Sequence, residues 1–403
     1  MLNLIIVGIG NIGRYWLEHF APQLPASVRI HALANSKGLS VVSQATPLLL
    51  QVPDKGVADP ALITRQIELL EARDELVAVV DLTASKEISR CYVRWIQAGA
   101  HLISANKYAG SSALDWYRKI REALKTHDKH WLCNTTVGAG LPIQKAIQER
   151  LQCHDPILSI EGNFSGSLSW IFQQLKPDER LSDWLHQAAE AGMTEPDPRI
   201  DLSGMDVGRK LLILAREAGW ELELADIDIQ SLVPESLKNV SLESFWQRVT
   251  EVDAQIGAAP QYHYLGRIEL DGEKPKASAR LTQIDTQSAY AHLPPGNANF
   301  IIRSQAYDAN PLVIQGPGAG REVTASGVYS DVLELVNLLG SGTMSVNNLP
   351  DSAQPKQPEL PSTHSESDEH CKSNLQSDDT LSRRSASSRV ASSQAAAKAF
   401  TRD

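Results

Sequence analysis

The chain opens on a short apolar run, residues 2–7 (LNLIIV), and then breaks at once into glycines. A run of that length bounded by turn residues predicts a parallel strand buried on both faces. Helical character continues over 15–20, and a second strand reads over 28–34. Residues 76–82 (LVAVVDL) and 100–104 (AHLIS) read as further buried strands. Between these two, 87–98 has helical length and spacing, with Gly99 where a helix would stop. Residues 114–125 read as another helix and 130–135 as another strand. Strands alternating with helices predict an α/β fold, a Rossmann-type doubly wound and mainly parallel sheet.

The rhythm changes after Gly138-Ala139-Gly140-Leu141-Pro142. Pro142 can open a helix running to 151. Residues 157–291 mix strands and helices without βαβ order, which predicts a second, α+β domain. Strand character returns over 300–314, and 330–339 reads as a closing helix. The expected division is therefore an NAD(P)-binding domain over 1–137, completed by 300–340, and a second domain over 138–299. A tail follows over 341–403. From 351 onward it is rich in Ser, Ala, Gln, Asp and Lys and poor in bulky apolar residues. Such a segment buries too little surface to offset its ordering entropy, so disorder is expected.

At 403 residues the chain exceeds what one core usually organises, in keeping with two domains. A net charge of −10 argues against a nucleic-acid groove, which needs a basic face. The four cysteines, Cys91, Cys133, Cys153 and Cys371, form no C-x-x-C pair and read as reduced structural thiols, which fits the cytoplasm. No apolar run approaches the roughly 20 residues of a membrane span, so no membrane partner is expected. The N-terminal apolar stretch lacks the basic flank of a signal peptide, and its glycines fall on a nucleotide-binding pattern instead.

That pattern is Gly8-Ile9-Gly10-Asn11-Ile12-Gly13, a G-x-G-x-x-G between a predicted strand and a predicted helix. Gly8 permits a tight turn, Gly10 lets the backbone approach a pyrophosphate, and Gly13 allows close helix–strand packing. The helix N-terminus then offers N–H groups to the phosphates. At the end of the second strand an acid would bind the ribose 2′-OH of NAD; here the chain reads Ala34-Asn35-Ser36-Lys37. Ser36 and Lys37 can hold a 2′-phosphate, which favours NADP(H) over NAD(H). If Lys37 were only a solvated loop lysine, the site would be dual-specific.

The most constrained stretch is 188–210, AAEAGMTEPDPRIDLSGMDVGRK. Asp206 and Lys210, four apart, project from one helix face. An ordinary surface ion pair has that spacing too; the unusual residues just before it are what mark the stretch. This segment resembles the signature of the homoserine dehydrogenases. So do the glycine turn, Ser104-Ala105-Asn106-Lys107, Thr136-Val137-Gly138-Ala139-Gly140-Leu141-Pro142, and Gly316-Pro317-Gly318-Ala319-Gly320 with Val323-Thr324-Ala325. The likeness spans about residues 1–340 in order. It is strongest to the dehydrogenase half of the bifunctional aspartokinase–homoserine dehydrogenases, notably the methionine-associated isozyme.

The resemblance implies NADPH-dependent, reversible reduction of L-aspartate 4-semialdehyde to L-homoserine in threonine and methionine biosynthesis, by a homodimer joined through the second domain. It implies that Lys210 donates the proton to the carbonyl oxygen and that Lys107 is a second active-site lysine beside nicotinamide and substrate. Glu195 and Asp206 would hold the substrate's ammonium group, and Asp201 would orient Lys210. Gly192 and Gly318 would contact the cofactor, with Thr83 and Ala84 at the nicotinamide ribose. Some family members also hold a sodium ion on backbone carbonyls and a glutamate. The matching positions here are Val137, Ala139 and Leu141 with Asn134, whose neutral amide oxygen would ligate Na+ less strongly.

The chemistry is consistent with that division. Hydride attack on an aldehyde builds charge on oxygen, so the site must offer a proton and positive potential. Two lysines meeting at one oxygen would each disfavour the other's protonation. No kinase-like region precedes Met1, so the chain reads as a free-standing dehydrogenase. The tail does not read as a βαββαβ regulatory domain, and no threonine feedback through one is expected. Two rivals remain. An aspartate-semialdehyde dehydrogenase would need a cysteine with a partnered histidine, and no cysteine here has that context. A catalytically inactive NADP-binding regulator or scaffold would have no use for Lys107, Glu195, Asp206 and Lys210 together.

Overall fold

A computed structural model of the chain describes residues 1–43, 45–176, 178–256, 261–272, 274–285 and 287–340. The 341–403 tail, for which disorder is expected, lies outside the described residues.

The first sheet contains β1 (Leu2–Val7), β2 (Val28–Asn35), β3 (Gly38–Val41), β4 (Leu76–Asp81), β5 (His101–Ser104) and β6 (Trp131–Leu132). Its order is β3-β2-β1-β4-β5-β6, parallel throughout except for the antiparallel edge pair β2–β3. The apolar runs are explained by cover on both faces. Ile5, Val7, Val77 and Val79 point into a core with Trp95 and Ile120, while Leu4, Ile6, Ala78 and Val80 point into the opposite core. The strand order reverses at β1, so a crevice opens at the C-terminal ends of β1 and β4, the usual ligand position in such sheets.

The second sheet contains β7 (Ile157–Gly162), β8 (Ile227–Ile229), β9 (Tyr262–Asp271), β10 (Lys274–Gln283), β11 (Asn297–Ser304) and β12 (Leu312–Pro317), in the order β12-β11-β7-β9-β10-β8. All its pairs are antiparallel except β10–β8. The chain's return to the first domain is therefore shorter than 300–340. Phe300 and Ile302 pair with Gly162 and Ile160 and fill the second core, so the strands of that stretch stay in the second sheet. Among the described residues of this stretch, only the Arg321–Leu339 helix crosses back, burying Ala325, Val328, Val332 and Leu335 in the core that also holds Leu4, Ile6, Ala78 and Val80.

Three element boundaries also move. That closing helix starts nine residues earlier than its apolar spacing suggests. The helix expected over 87–98 is two, Lys86–Ser89 and Tyr92–Gln97. The strand expected over 130–135 stops at Leu132, and Asn134–Thr136 is a 3₁₀ turn. Among the described residues, no helix is long and apolar enough to cross a membrane. The described cysteines Cys91, Cys133 and Cys153 are free.

Candidate active site

The nucleotide end is built by the turn after β1. Gly8 has φ +96°, and a Cβ there would lie 2.7 Å from Thr83 Cγ2 at the end of β4. A Cβ on Gly13 would stand 2.2 Å from the Gly8 carbonyl oxygen, so the following helix packs on the turn only because both are glycine. Gly10 instead faces open space, leaving bare backbone at the helix start. The residues present therefore fit a dinucleotide pyrophosphate.

Two adjoining cavities share Asn35 and Ser36. One, of about 650 Å³, is lined by Gly8, Gly10, Arg14, Ser36 and Lys37. The other, of about 590 Å³ and more apolar, is lined by Ala34, Ser36, Thr83, Ala84 and Ile88, with the acids Asp59 and Glu87 also on its wall. Gly8, Gly10, Ser36, Lys37, Thr83 and Ala84 are thus brought together. Asn11 Oδ1 accepts a 3.3 Å bond from Arg321 on the closing helix, and Ile12 packs into the core. Gly192 and Gly318 line neither cavity. A Cβ on Gly318 would press on Ala298 at 2.3 Å, which is a packing reason for that glycine.

Lys107 begins the one-turn helix Lys107–Gly110, just beyond β5. Asn106 caps that helix by accepting from Tyr108 N (3.0 Å), and its Nδ2 donates to Asp81 Oδ2 (2.9 Å) and the Ser85 carbonyl (2.8 Å). Asp81, fully buried at the end of β4, also accepts from Tyr92 Oη (2.7 Å) and Thr83 N (2.8 Å). Burial pushes the Asp81 carboxyl above its ordinary range against the pull of these hydrogen bonds. The network ties the loop carrying Thr83 to the one carrying Lys107. Reading the sequence alone missed Asp81 and Tyr92 and gave Asn106, though it lies in a recognised stretch, no role; an acid closing an otherwise apolar strand was the available signal.

Lys210 lies on the Met205–Glu217 helix. Its Nζ donates to the Phe164 carbonyl (2.8 Å) and reaches Asp206 Oδ2 (2.8 Å) one turn back, while Lys107 Nζ stands 3.4 Å from Asp206 Oδ1. Two ammonium groups from separate parts of the chain thus share one carboxylate. Burial works to raise the Asp206 pKa, but the charges of Lys210 and Lys107 win and hold it well below the carboxylate range. The Lys107 pKa is lowered, first by partial burial and then by the Lys210 charge, against the opposing pull of Asp206 and Glu195. Mutual repulsion between the lysines is therefore the second cause at Lys107, behind desolvation.

A cavity of about 790 Å³ is lined by Lys107, Glu195, Asp201, Asp206 and Arg209. Lys210, 13% exposed, does not line it. Asp201 departs from its expected role. It accepts from Ser167 Oγ (2.6 Å) and Glu195 N (2.9 Å), so it fixes the Glu195 turn, and the carboxylate that contacts Lys210 is Asp206. Arg199 holds the same turn from the other side, paired with Asp197 at 2.7 Å and donating to the Val240 carbonyl at 2.7 Å.

At the expected cation position, Asn134 Nδ2 donates to the Leu141 carbonyl (3.1 Å), and its buried Oδ1 has no hydrogen-bond partner among the described residues. One expected carbonyl is therefore engaged and one amide oxygen is available. Val137 and Ala139 are buried in the same turn.

Two family models match the chain: "Homoserine dehydrogenase, NAD binding domain" over residues 8–134 and "Homoserine dehydrogenase" over 142–333. The bifunctional aspartokinase/homoserine dehydrogenase 2 of Escherichia coli (strain K12) is 39% identical over 359 residues, covering 84% of this chain and 44% of the relative. The chain spans less than half the length of the curated relatives it matches. Among solved structures, a Candida auris protein of unknown function is 30% identical with a TM-score of 0.75, covering 83% of this chain and 98% of that one. A hyperthermophilic archaeal homoserine dehydrogenase in complex with NADPH is similar in fold, with a TM-score of 0.63 at 20% identity, covering 83% and 98%.

Proposed function

The chain belongs to the homoserine dehydrogenase family, and from that premise we propose that it reduces L-aspartate 4-semialdehyde to L-homoserine, reversibly, with NADPH. The observation that carries this reading is the meeting of Lys107 and Lys210 on Asp206 beside a cavity that also holds Glu195. Bound NADPH supplies the hydride. Lys210 gives its proton to the developing alkoxide, and Lys107 adds positive potential at the same oxygen. Glu195 and Asp206 receive the substrate's ammonium group, and Asp201 keeps Glu195 in place. A second assignment, with Lys107 as the donor, is favoured by its loosened proton and its place on the cavity wall.

Ser36, Lys37 and Arg14 support NADP(H), since all three line the cavity beyond the glycine turn. Asp59 and Glu87 on the neighbouring wall oppose it. We therefore expect NADPH to be preferred without NADH being excluded. The deciding measurement is the oxidation of each at 340 nm with L-aspartate 4-semialdehyde. Turnover with NADPH is expected; none with either nucleotide would leave an inactive NADP-binding regulator as the better reading.

The available amide oxygen of Asn134 supports a weakly held monovalent cation at most. Replacing Na+ by choline is expected to change kcat by less than about twofold, because a neutral amide contributes little to ion affinity; a tenfold loss would make the ion part of the machinery. We further propose a cytoplasmic homodimer joined through the second domain and serving the threonine and methionine branch. The family resemblance and the scattered free thiols support that placement.

A further inference from the structure

Arg216 is a charged residue that the fold buries, with its side chain 1% exposed. It lies on the Met205–Glu217 helix, on the stretch beyond Lys210. Its Nη1 donates to the carbonyls of Gly110 and Ser112, both at 2.8 Å. Its Nη2 donates to the Leu222 carbonyl at 2.9 Å and stands 3.6 Å from Glu223 Oε2. Glu223 in turn accepts from Leu114 N at 2.7 Å, and the guanidinium carbon sits 4.9 Å from the Tyr117 ring centroid. Gly110, Ser112 and Tyr117, and Leu114 through Glu223, lie in one segment, 110–117, which leads directly out of the helix that begins at Lys107, while Leu222 and Glu223 belong to the stretch just after Arg216's own helix.

The two helices also pack closely through small and apolar residues. A Cβ on Gly110 would already come within 3.0 Å of Ile213 Cγ1. Burying a guanidinium is costly unless its donors are satisfied, and here Nη1 and Nη2 are, while Nε has no partner among the described residues. What the planar fork adds over a hydrocarbon is direction, because it fixes where two specific carbonyls sit. Those carbonyls close the turn that Lys107 opens, whereas Arg216 itself does not line the active-site cavity.

We propose that Arg216 is a positioning residue that locks the Lys107 segment to the Lys210 helix and so sets the spacing of the two ammonium groups on Asp206. The catalytic part of this role rests on the dehydrogenase reading above. The spacing matters because misplacing a reacting group by about 1 Å can cost about 10²-fold in rate.

The test compares the full chain with Arg216→Gln and Arg216→Lys. The pH dependence of Lys107 labelling by an amine-reactive reagent is read by peptide mass spectrometry, beside kcat, KM and NADPH affinity. In Arg216→Gln the Lys107 turn relaxes away from Lys210 into water. Its labelling midpoint then rises toward that of an ordinary lysine, kcat falls by about tenfold or more, and the NADPH Kd stays within about twofold. Arg216→Lys keeps the charge without the fork and gives an intermediate midpoint and rate. If Arg216→Gln does not fold, Arg216→Lys and Glu223→Gln carry the test, the latter with a smaller shift in the same direction. Folded variants with an unchanged midpoint overturn the proposal, whether or not stability has dropped. If the unaltered enzyme does not reduce the semialdehyde but the midpoint still moves, the clamp stands and the dehydrogenase reading falls.

Discussion

Lys210→Ala is expected to lower kcat by about 10³-fold or more while leaving the NADPH Kd within about twofold of the unaltered enzyme. Lys210 spends its donors on the Phe164 carbonyl and Asp206, and neither partner lines the two nucleotide cavities. On the role proposed for it, removing Lys210 takes away a proton and a charge from the reacting oxygen while its partners lie outside the nucleotide cavities. The loss corresponds to about 4 kcal/mol of transition-state stabilisation, within what general acid catalysis and a directed positive charge supply together. Single-turnover NADPH oxidation separates this from a change in product release, and nucleotide fluorescence gives the Kd. A rate within tenfold of normal would move the proton to Lys107, and Lys107→Ala would then show the larger fall.

The first domain was largely legible because its physics is local. A parallel sheet covered on both faces needs short continuous apolar strands, and 2–7, 28–34 and 76–82 provide them. The glycine turn needs Gly8 and Gly13 for steric reasons that any reader of the pattern can name. Edge strand β3 carries no such signature: Gly38–Val41 is four residues of intermediate or exposed character. The closing helix was half missed because Val323, Thr324, Ser326 and Gly327 are weak helix formers, and its start follows a glycine-rich turn. It forms because Ala325 and Val328 bury against the first sheet, a tertiary gain that local propensity does not record.

Within the site, Lys107, Glu195, Asp206 and Lys210 were read from the segments that carry them. The meeting of the two lysines was expected as well, but the carboxylate that joins them was not. Asp206 as the shared partner of both lysines, and Asp201 as the support of Glu195, depend on where separate segments meet. The residues that hold the site were the least visible. Asp81, Asn106 and Arg216 look like ordinary polar residues until burial shows that each ties the Lys107 segment to another part of the fold.

Asp206→Asn is the second large change, and it tests the shared carboxylate directly. The amide can still accept from one lysine but leaves two ammonium groups facing each other without their counter-charge. Losing charge-assisted hydrogen bonds of about 1.5–3 kcal/mol each should lower kcat/KM by roughly 10²-fold near neutral pH. The Lys107 proton, already loosened by burial and by Lys210, loses one of the two anions that favour it. The alkaline limb of the kcat profile is therefore expected to move to lower pH if Lys107 must be charged. Stability gives an independent sign. The Asp206 pKa is lowered in the folded state, so its contribution is present above the unfolded carboxylate pKa and is lost as pH falls toward the native value. Melting temperatures taken from neutral to acid pH should thus fall less steeply for Asp206→Asn than for the unaltered protein. Parallel melting curves together with an unmoved alkaline limb would mean that the two lysines do not depend on this carboxylate, and the chemistry assigned to their meeting would have to be abandoned.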